Sequence, residues 1–215
     1  MTALVEVNNI SKSFESFLAV DNINFSLEKG EVLGFLGPNG AGKTTTMRIL
    51  TGFLKPSSGS IKINGLDLFK NLKKAREFIG YVPEGSPLYN EMTTIDFLSF
   101  ICEIRNIDKG QNLRKIIKLL DLDEVLLQKI DTLSKGFKRR VGLAQALVHD
   151  PKILILDEPT DGLDPNQKHE VRKLIKKLGK EKSIIISTHI LEEVKAICNR
   201  TMILSNGKLL IDDTP

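Results

Sequence analysis

Gly37-Pro38-Asn39-Gly40-Ala41-Gly42-Lys43-Thr44 follows the spacing G-x-x-x-x-G-K-T, that of a loop whose backbone N–H groups wrap phosphate oxygens. Its flanks fit that reading. Glu31-Val32-Leu33-Gly34-Phe35-Leu36 before it reads as a buried strand, and Thr44 to Thr51 after it as a helix closed by Gly52. A plain glycine-rich turn is the alternative, and the strand-before, helix-after context weighs against it. The glycines let N–H groups turn inward without side-chain clash. The helix N-terminus adds the positive end of a dipole. In such a loop Lys43 reaches the terminal phosphates and the Thr44 hydroxyl holds Mg²⁺.

The 215 residues suffice for one compact domain with a sizeable core. Hydrophobic residues make up 41% and charged residues 27%, both ordinary for a globular protein. The net charge of +4 is too mild to require a nucleic-acid partner, and none is expected; a basic face toward phospholipid or nucleotide stays open. No apolar run approaches the ~20 residues of a membrane span, and no charged-then-apolar leader opens the sequence. A cytoplasmic protein is expected. Cys102 and Cys198 show no metal spacing. Each falls four residues after an apolar position in a helical pattern, and both are expected to be small core residues.

Around the loop the pattern alternates. Leu4 to Val7 and Leu18 to Leu27 read as antiparallel strands, and Lys29-Gly30 turns the chain into the strand before the loop. Lys55-Pro56-Ser57-Ser58-Gly59 is a turn cluster, Ser60 to Ile63 a strand and Asn64-Gly65 a hairpin-type turn. Lys70 to Arg76 is a basic helical stretch, expected to be a solvated face, and Phe78 to Val82 is a short buried strand. From about Thr93 to Val148 the pattern is helical, opening on the capping-box spacing of Thr93-Thr94-Ile95-Asp96, with Leu113, Ile116, Ile117 and Leu120 on one helix face. Strands then return at Ile153–Leu156, Ser183–Ile186, Thr201–Leu204 and Lys208–Ile211, the last two around Asn206-Gly207. Helices intervene, one from Asp164-Pro165 to Gly179 with Val171, Leu174, Ile175 and Leu178 buried, another over Leu191–Cys198. Short apolar strands alternating with helices predict a parallel sheet covered on both faces.

Three further motifs carry chemistry. The apolar strand 153–156 ends in Asp157-Glu158. In a phosphate-loop protein that Asp is expected at the metal beside Thr44, and Glu158, pointing elsewhere, at an attacking water. Leu133-Ser134-Lys135-Gly136-Phe137 precedes a helix and makes a second candidate anion site, weak by itself. Ser187-Thr188-His189 lies just past a parallel strand, at the sheet edge where ligands bind, and His189 is a candidate partner of a γ-phosphate or water. His149 and His169 lack such a context and read as surface residues.

Taken in order, residues 37–44, Ser134-Lys135-Gly136-Phe137, Ile155-Leu156-Asp157-Glu158-Pro159-Thr160, Asp161-Gly162-Leu163-Asp164 and Ser187-Thr188-His189 resemble the ATP-binding cassette of ABC transporters over essentially the whole chain. The resemblance implies an α/β fold of the P-loop NTPase type. It has a RecA-like, mostly parallel sheet core with an antiparallel β subdomain and an inserted α-helical subdomain. One domain would span 1–215, with 1–83 and 150–215 forming the core and β subdomain and 84–149 the helical subdomain. It implies ATP and Mg²⁺ as ligands. Phe14 matches the aromatic that stacks on adenine. Gly37, Pro38, Asn39, Gly40, Ala41, Gly42, Lys43, Thr44 and Thr45 match the phosphate contacts. Thr44, Asp157 and Glu84 match the Mg²⁺ neighbourhood. Glu158 matches the catalytic base, and His189 the switch histidine. Ser134 and Gly136 match the signature loop, and Asp164 the loop that crosses to a partner.

In that family two cassettes sandwich two ATP molecules, each signature loop facing the other chain's phosphate loop. Three residues depart from the family pattern: Glu84 stands where Gln is usual, and Lys135 and Phe137 replace signature residues. The Pro83-Glu84 pair, the signature Lys and Val141-Gly142-Leu143-Ala144-Gln145-Ala146-Leu147 are similar to exporter-type cassettes, including drug-export and gliding-motility relatives. The implied protein is an ATPase subunit, peripheral on the inner face of the membrane. It pairs with a second cassette and with a separate integral membrane permease. Two other readings stay open: a soluble cassette ATPase acting on nucleic acid or ribosomes, which usually carries a coiled-coil insertion or two fused cassettes, and a non-hydrolysing ATP-binding regulator.

Overall fold

In the computed structural model, residues 3–85, 87–108 and 110–215 are described. Two sheets organise the chain. The first is antiparallel, in the order β2-β1-β4-β5, from β1 (Val5–Phe14), β2 (Phe17–Leu27), β4 (Ser58–Ile63) and β5 (Leu66–Asp67). The second has the order β10-β9-β3-β8-β7-β6. It comprises β3 (Val32–Leu36), β6 (Ile79–Val82), β7 (Ile153–Asp157), β8 (Ser183–Thr188), β9 (Arg200–Ser205) and β10 (Lys208–Asp213). Its first five members in space after β10 run parallel, and β10 pairs antiparallel at the edge.

The parallel strands are apolar throughout because both faces are covered. Along β7, Leu154 and Leu156 join one core and Ile153 and Ile155 the other; along β8, Ile184 and Ile186 oppose Ile185 in the same way. This is the two-residue period of a strand read in three dimensions. One core holds α3 (Thr94–Ile104), α4 (Gln111–Leu119), α5 (Lys135–Leu147) and α6 (Pro165–Leu178); the other holds α1 (Lys43–Leu50) and the antiparallel sheet. The stretch expected to be helical over 93–148 comprises α3, α4, α5 and two short 3₁₀ turns; it includes Lys109, which lies outside the described residues. Its capping expectation holds, since the Thr93 hydroxyl accepts the Asp96 N–H at 3.2 Å. Asp164 caps α6 by accepting from the Gln167 N–H at 2.9 Å. Asn206-Gly207 joins β9 to β10 with both residues at positive φ, 49° and 77°, the turn that matches strand twist.

Three expectations change. β1 runs to Phe14 rather than stopping at Val7, because register shifts after Val7, Ile10 and Lys12 break the alternation that marks a strand in sequence. The basic stretch before β6 is not wholly a solvated face: in α2 (Leu72–Glu77) Lys73 and Lys74 are exposed, but Arg76 donates to the Thr51 and Gly52 carbonyls at 3.1 and 2.9 Å, capping the end of α1. His149 is half-buried, not a surface residue; its Nε2 sits 3.0 Å from the Ile79 carbonyl oxygen. His169 is exposed and Cys102 buried, as expected. Cys198, half-buried, packs against the first core.

Burial, with the nearby Arg105 charge, lowers the His149 pKa to about 4. In the unfolded chain an imidazole titrates near 6.5. Between those values the unfolded state binds a proton that the folded state refuses, so stability falls as pH drops from about 6.5 to about 4. His149→Gln is expected to flatten that part of the Tm–pH curve relative to the parent chain, as measured by thermal melts from pH 7 to pH 4.

Candidate active site

The site lies at the carboxyl edge of the parallel sheet, where β3, β7 and β8 all end. The registers Leu36↔Thr188 and Asp157↔Ser187 bring the three strand ends level. Between β3 and α1 the loop 37–42 folds back on itself, with the Ala41 N–H donating to the Pro38 carbonyl at 3.1 Å. Its glycines have steric reasons. A Cβ on Gly37 would lie 2.4 Å from the Leu204 carbonyl oxygen, and Gly42 combines φ +97° with an approach of 2.6 Å to the Ala19 carbonyl.

Lys43 is buried, and its ammonium donates to the Gly37 and Pro38 carbonyls at 2.7 and 3.1 Å and pairs with Glu158 Oε1 at 3.5 Å. The Thr44 hydroxyl donates to Asp157 Oδ1 at 3.3 Å. Ser187 Oγ donates to the same oxygen at 2.5 Å and accepts the Glu158 N–H at 3.0 Å. Asp157 Oδ2 is buried with no partner. A buried, partnerless carboxylate oxygen beside a threonine hydroxyl fits a divalent cation held by oxygen ligands. Glu158 adopts φ +47°, a conformation costly for a side-chain-bearing residue and concentrated at functional sites. That turn aims its carboxylate away from Asp157, toward Lys43 on one oxygen and toward His189 Nδ1, 3.1 Å away, on the other. Burial raises the Glu158 carboxyl above the ordinary glutamate range, while the Lys43 and His189 charges pull it back.

A cavity of about 370 Å³ opens over these groups, lined by loop residues 39–45 together with Glu84, Glu158, Asp161, His189 and Phe17. The structure therefore brings together Lys43, Thr44, Thr45, Glu84, Asp157, Glu158 and His189. It does not bring Ser134, Gly136 or Asp164 to that cavity. Those three share a separate patch: Ser134 caps α5 by accepting the Phe137 N–H at 3.3 Å, and a Cβ on Gly136 would sit 3.3 Å from Gln167, on the first turn that Asp164 caps. Phe14, half exposed under the Lys12 ammonium, lines a different and larger cavity of about 740 Å³ with Arg48, Phe53, Tyr81 and Pro83. Its cross-strand pair Phe17 lines the phosphate-loop cavity instead. Phe17 and Asp161 escaped sequence reasoning. The available signals were the Phe14–Phe17 pairing across a tight turn and the position of Asp161 just after Glu158-Pro159-Thr160.

The ABC transporter family profile matches residues 20–161. The chain is 39% identical to the bacitracin transport ATP-binding protein BcrA of Bacillus licheniformis over 98% of its own length and 69% of BcrA. It is 36% identical to the linearmycin resistance ATP-binding protein LnrL of Bacillus subtilis, covering 96% and 68%. Among solved structures, CbiO1 of Clostridium perfringens, described as part of the ABC transporter complex CbiONQ, superposes with a TM-score of 0.90 at 30% identity, over 100% of this chain and 90% of that one. A dimeric ATP-binding cassette in a post-hydrolysis state with ADP and Pi superposes with a TM-score of 0.87 at 25% identity, covering 98% of each. The chain belongs to the ABC transporter family, as an ATP-binding subunit with the P-loop NTPase fold. That family hydrolyses ATP.

A general base must be ionised to accept a proton; with Glu158 in that role, as the sequence resemblance implies, turnover is expected to fall as pH drops through its raised value. Glu158→Gln should lower kcat by about 10²–10⁴-fold and abolish that acid limb, as read from steady-state ATPase rates across pH.

Proposed function

We propose that this chain is the ATP-hydrolysing motor subunit of a membrane exporter, working as one of two cassettes that close over two ATP molecules and drive a separate integral membrane subunit. The single cassette spans 1–215, with 84–149 as its helical subdomain. The observation that carries this reading is the separation of the site into two halves. Lys43, Thr44, Glu158 and His189 line one cavity, with Asp157 buried behind Thr44, while Ser134, Gly136 and Asp164 present a capped helix N-terminus on another patch of the same chain. A second cassette brings the missing half to each site. The γ-phosphate then bridges two chains, and its removal releases them, which is a differential contact able to drive a cycle. The departure at Lys135 fits such a patch. Lys135 adds a cation near Gly162, 3.7 Å from its Cβ position, where phosphate charge would arrive.

Mechanistically, Glu158 takes the proton as a water oxygen bonds to the γ-phosphorus and the bond to the ADP oxygen breaks. His189 on the other carboxylate oxygen keeps that carboxylate aimed. Lys43 offers its charge to the departing and transferring phosphates. Thr44, Asp157 and Glu84 are the residues that would hold Mg²⁺, whose charge would offset that developing on the phosphates. The base of the nucleotide falls to the β1–β2 hairpin end, which carries both Phe14 and Phe17; Phe17 on the cavity wall is the nearer platform. The exporter assignment draws on the bacitracin and linearmycin relatives, and the membrane partner on the CbiO1 complex. Among the described residues no helix is long and apolar enough to cross a membrane. The cavity that Phe53, Tyr81, Pro83 and Arg105 line suits an apolar segment of that partner, and Phe53 is 69% exposed there. Glu84, next to Pro83, lines the phosphate-loop cavity, so one short segment touches both sites.

Glu158→Gln should trap the closed pair: light scattering is expected to give a dimer with Mg-ATP and a monomer without it, and Ser134→Glu should abolish that dimer. A persistent monomer with Mg-ATP would count against self-pairing and point to a different second cassette. Phe53→Asp is expected to leave nucleotide-dependent dimerisation intact while reducing co-fractionation with membranes.

A further inference from the structure

Glu193 is a buried acid that the mechanism above leaves unused. It lies in α7 (Leu191–Ile197) and is 2% exposed. Its Oε2 accepts from the Thr188 hydroxyl at 2.8 Å, and its Oε1 accepts from the Thr160 hydroxyl. Both threonines are buried. Thr160 stands two residues after Glu158, and Thr188 immediately before His189. Two cations of α6 also face Oε1, Arg172 Nη2 at 3.4 Å and Lys168 Nζ at 3.9 Å. Arg172 Nε is buried without a partner, so the guanidinium faces Glu193 with one donor left unsatisfied.

The Lys168 and Arg172 cations offset part of the cost of burying this carboxylate, but charge pairing by itself is weak evidence that it is there for stability. Taking a charge out of water is costly, and a well-packed apolar side chain often does as well. What a carboxylate does, and a leucine does not, is accept from two hydroxyls at once and fix them relative to each other. Those hydroxyls belong to the two segments that carry Glu158 and His189, which meet at 3.1 Å. The left-handed backbone of Glu158 needs such outside support, because local preference works against it.

We propose that Glu193 is a positioning residue. It clamps the Glu158 segment to the His189 segment so that carboxylate and imidazole stay in register during turnover. Through Lys168 and Arg172 it ties that pair to the helix that Asp164 caps. The inference rests on the reading of Glu158 as base and His189 as its partner.

Thr160→Val and Thr188→Val each remove one tether while keeping side-chain volume, and the Thr→Ser variants keep the hydroxyl. In the full chain with Mg-ATP, Thr188→Val is expected to lower kcat by about ten- to a hundredfold with KM little changed, and Thr188→Ser to restore it. In a Glu158→Gln background the same substitution should cause no further loss, because it acts through the absent carboxylate. A readout free of turnover is the NMR spectrum of the His189 ring without nucleotide. In Thr188→Val its resonances should move toward those of Glu158→Gln. Unmoved resonances in a folded Thr188→Val protein, or a kcat loss that adds in full to that of Glu158→Gln, would overturn the proposal. A parent chain with no turnover would overturn the catalytic reading of Glu158, and the ring resonances would still decide whether the clamp exists.

Discussion

The hydroxyl of Ser187 bonds to two adjacent residues of the neighbouring strand, donating to the Asp157 carboxylate and accepting the Glu158 N–H. This pair of bonds lets two consecutive acids do different work. Asp157 stays on the strand path, with Oδ1 accepting from Thr44 and Ser187 and Oδ2 buried without a partner. Glu158 leaves the strand in a left-handed turn and swings its carboxylate to Lys43 and His189. The arrangement exists only because β7 and β8 are parallel and in register at their last residues. Parallel pairing in turn requires the helical crossovers that cover both sheet faces. The chemistry at the edge is therefore a consequence of how the two cores are divided.

That division also sets what flanks the site. On one side of the sheet, α1 and the antiparallel sheet hold the phosphate loop; on the other, the helical segment holds α5 and its capped N-terminus. The strand β6 lies at the sheet edge, and the segment after it reaches from the larger cavity at Pro83 to the phosphate-loop cavity at Glu84. Adjacent residues of one segment thus line both cavities.

Much of this was legible in residue order. The phosphate loop, the strand ends at Asp157 and His189, the caps at Thr93, Ser134 and Asp164, and the Asn-Gly turns each rest on interactions within a few residues, so a short window carries them. The strand alternation of β7 and β8 was hidden, since both faces are buried and every position is apolar. The length of β1 was missed because its bulges shift the register and blur the period. Arg76 and His149 were misread as solvated for a related reason. A basic or polar residue in a helical stretch looks exposed until the carbonyls of another element are seen beside it.

The sequence by itself determined the class of fold, the identity of the phosphate-binding loop and the acids and histidine expected beside it, because those depend on local spacing and side-chain chemistry. Only the tertiary structure decided which aromatic faces the phosphate-loop cavity, that the signature residues sit on a separate patch, that Ser187 partitions the two acids, and that Glu193 accepts from hydroxyls on both the Glu158 and the His189 segments. These are matters of register between strands and of packing between helices far apart in the chain. No window of sequence records them, because the distances involved are set by the folded core and not by the backbone path between the residues.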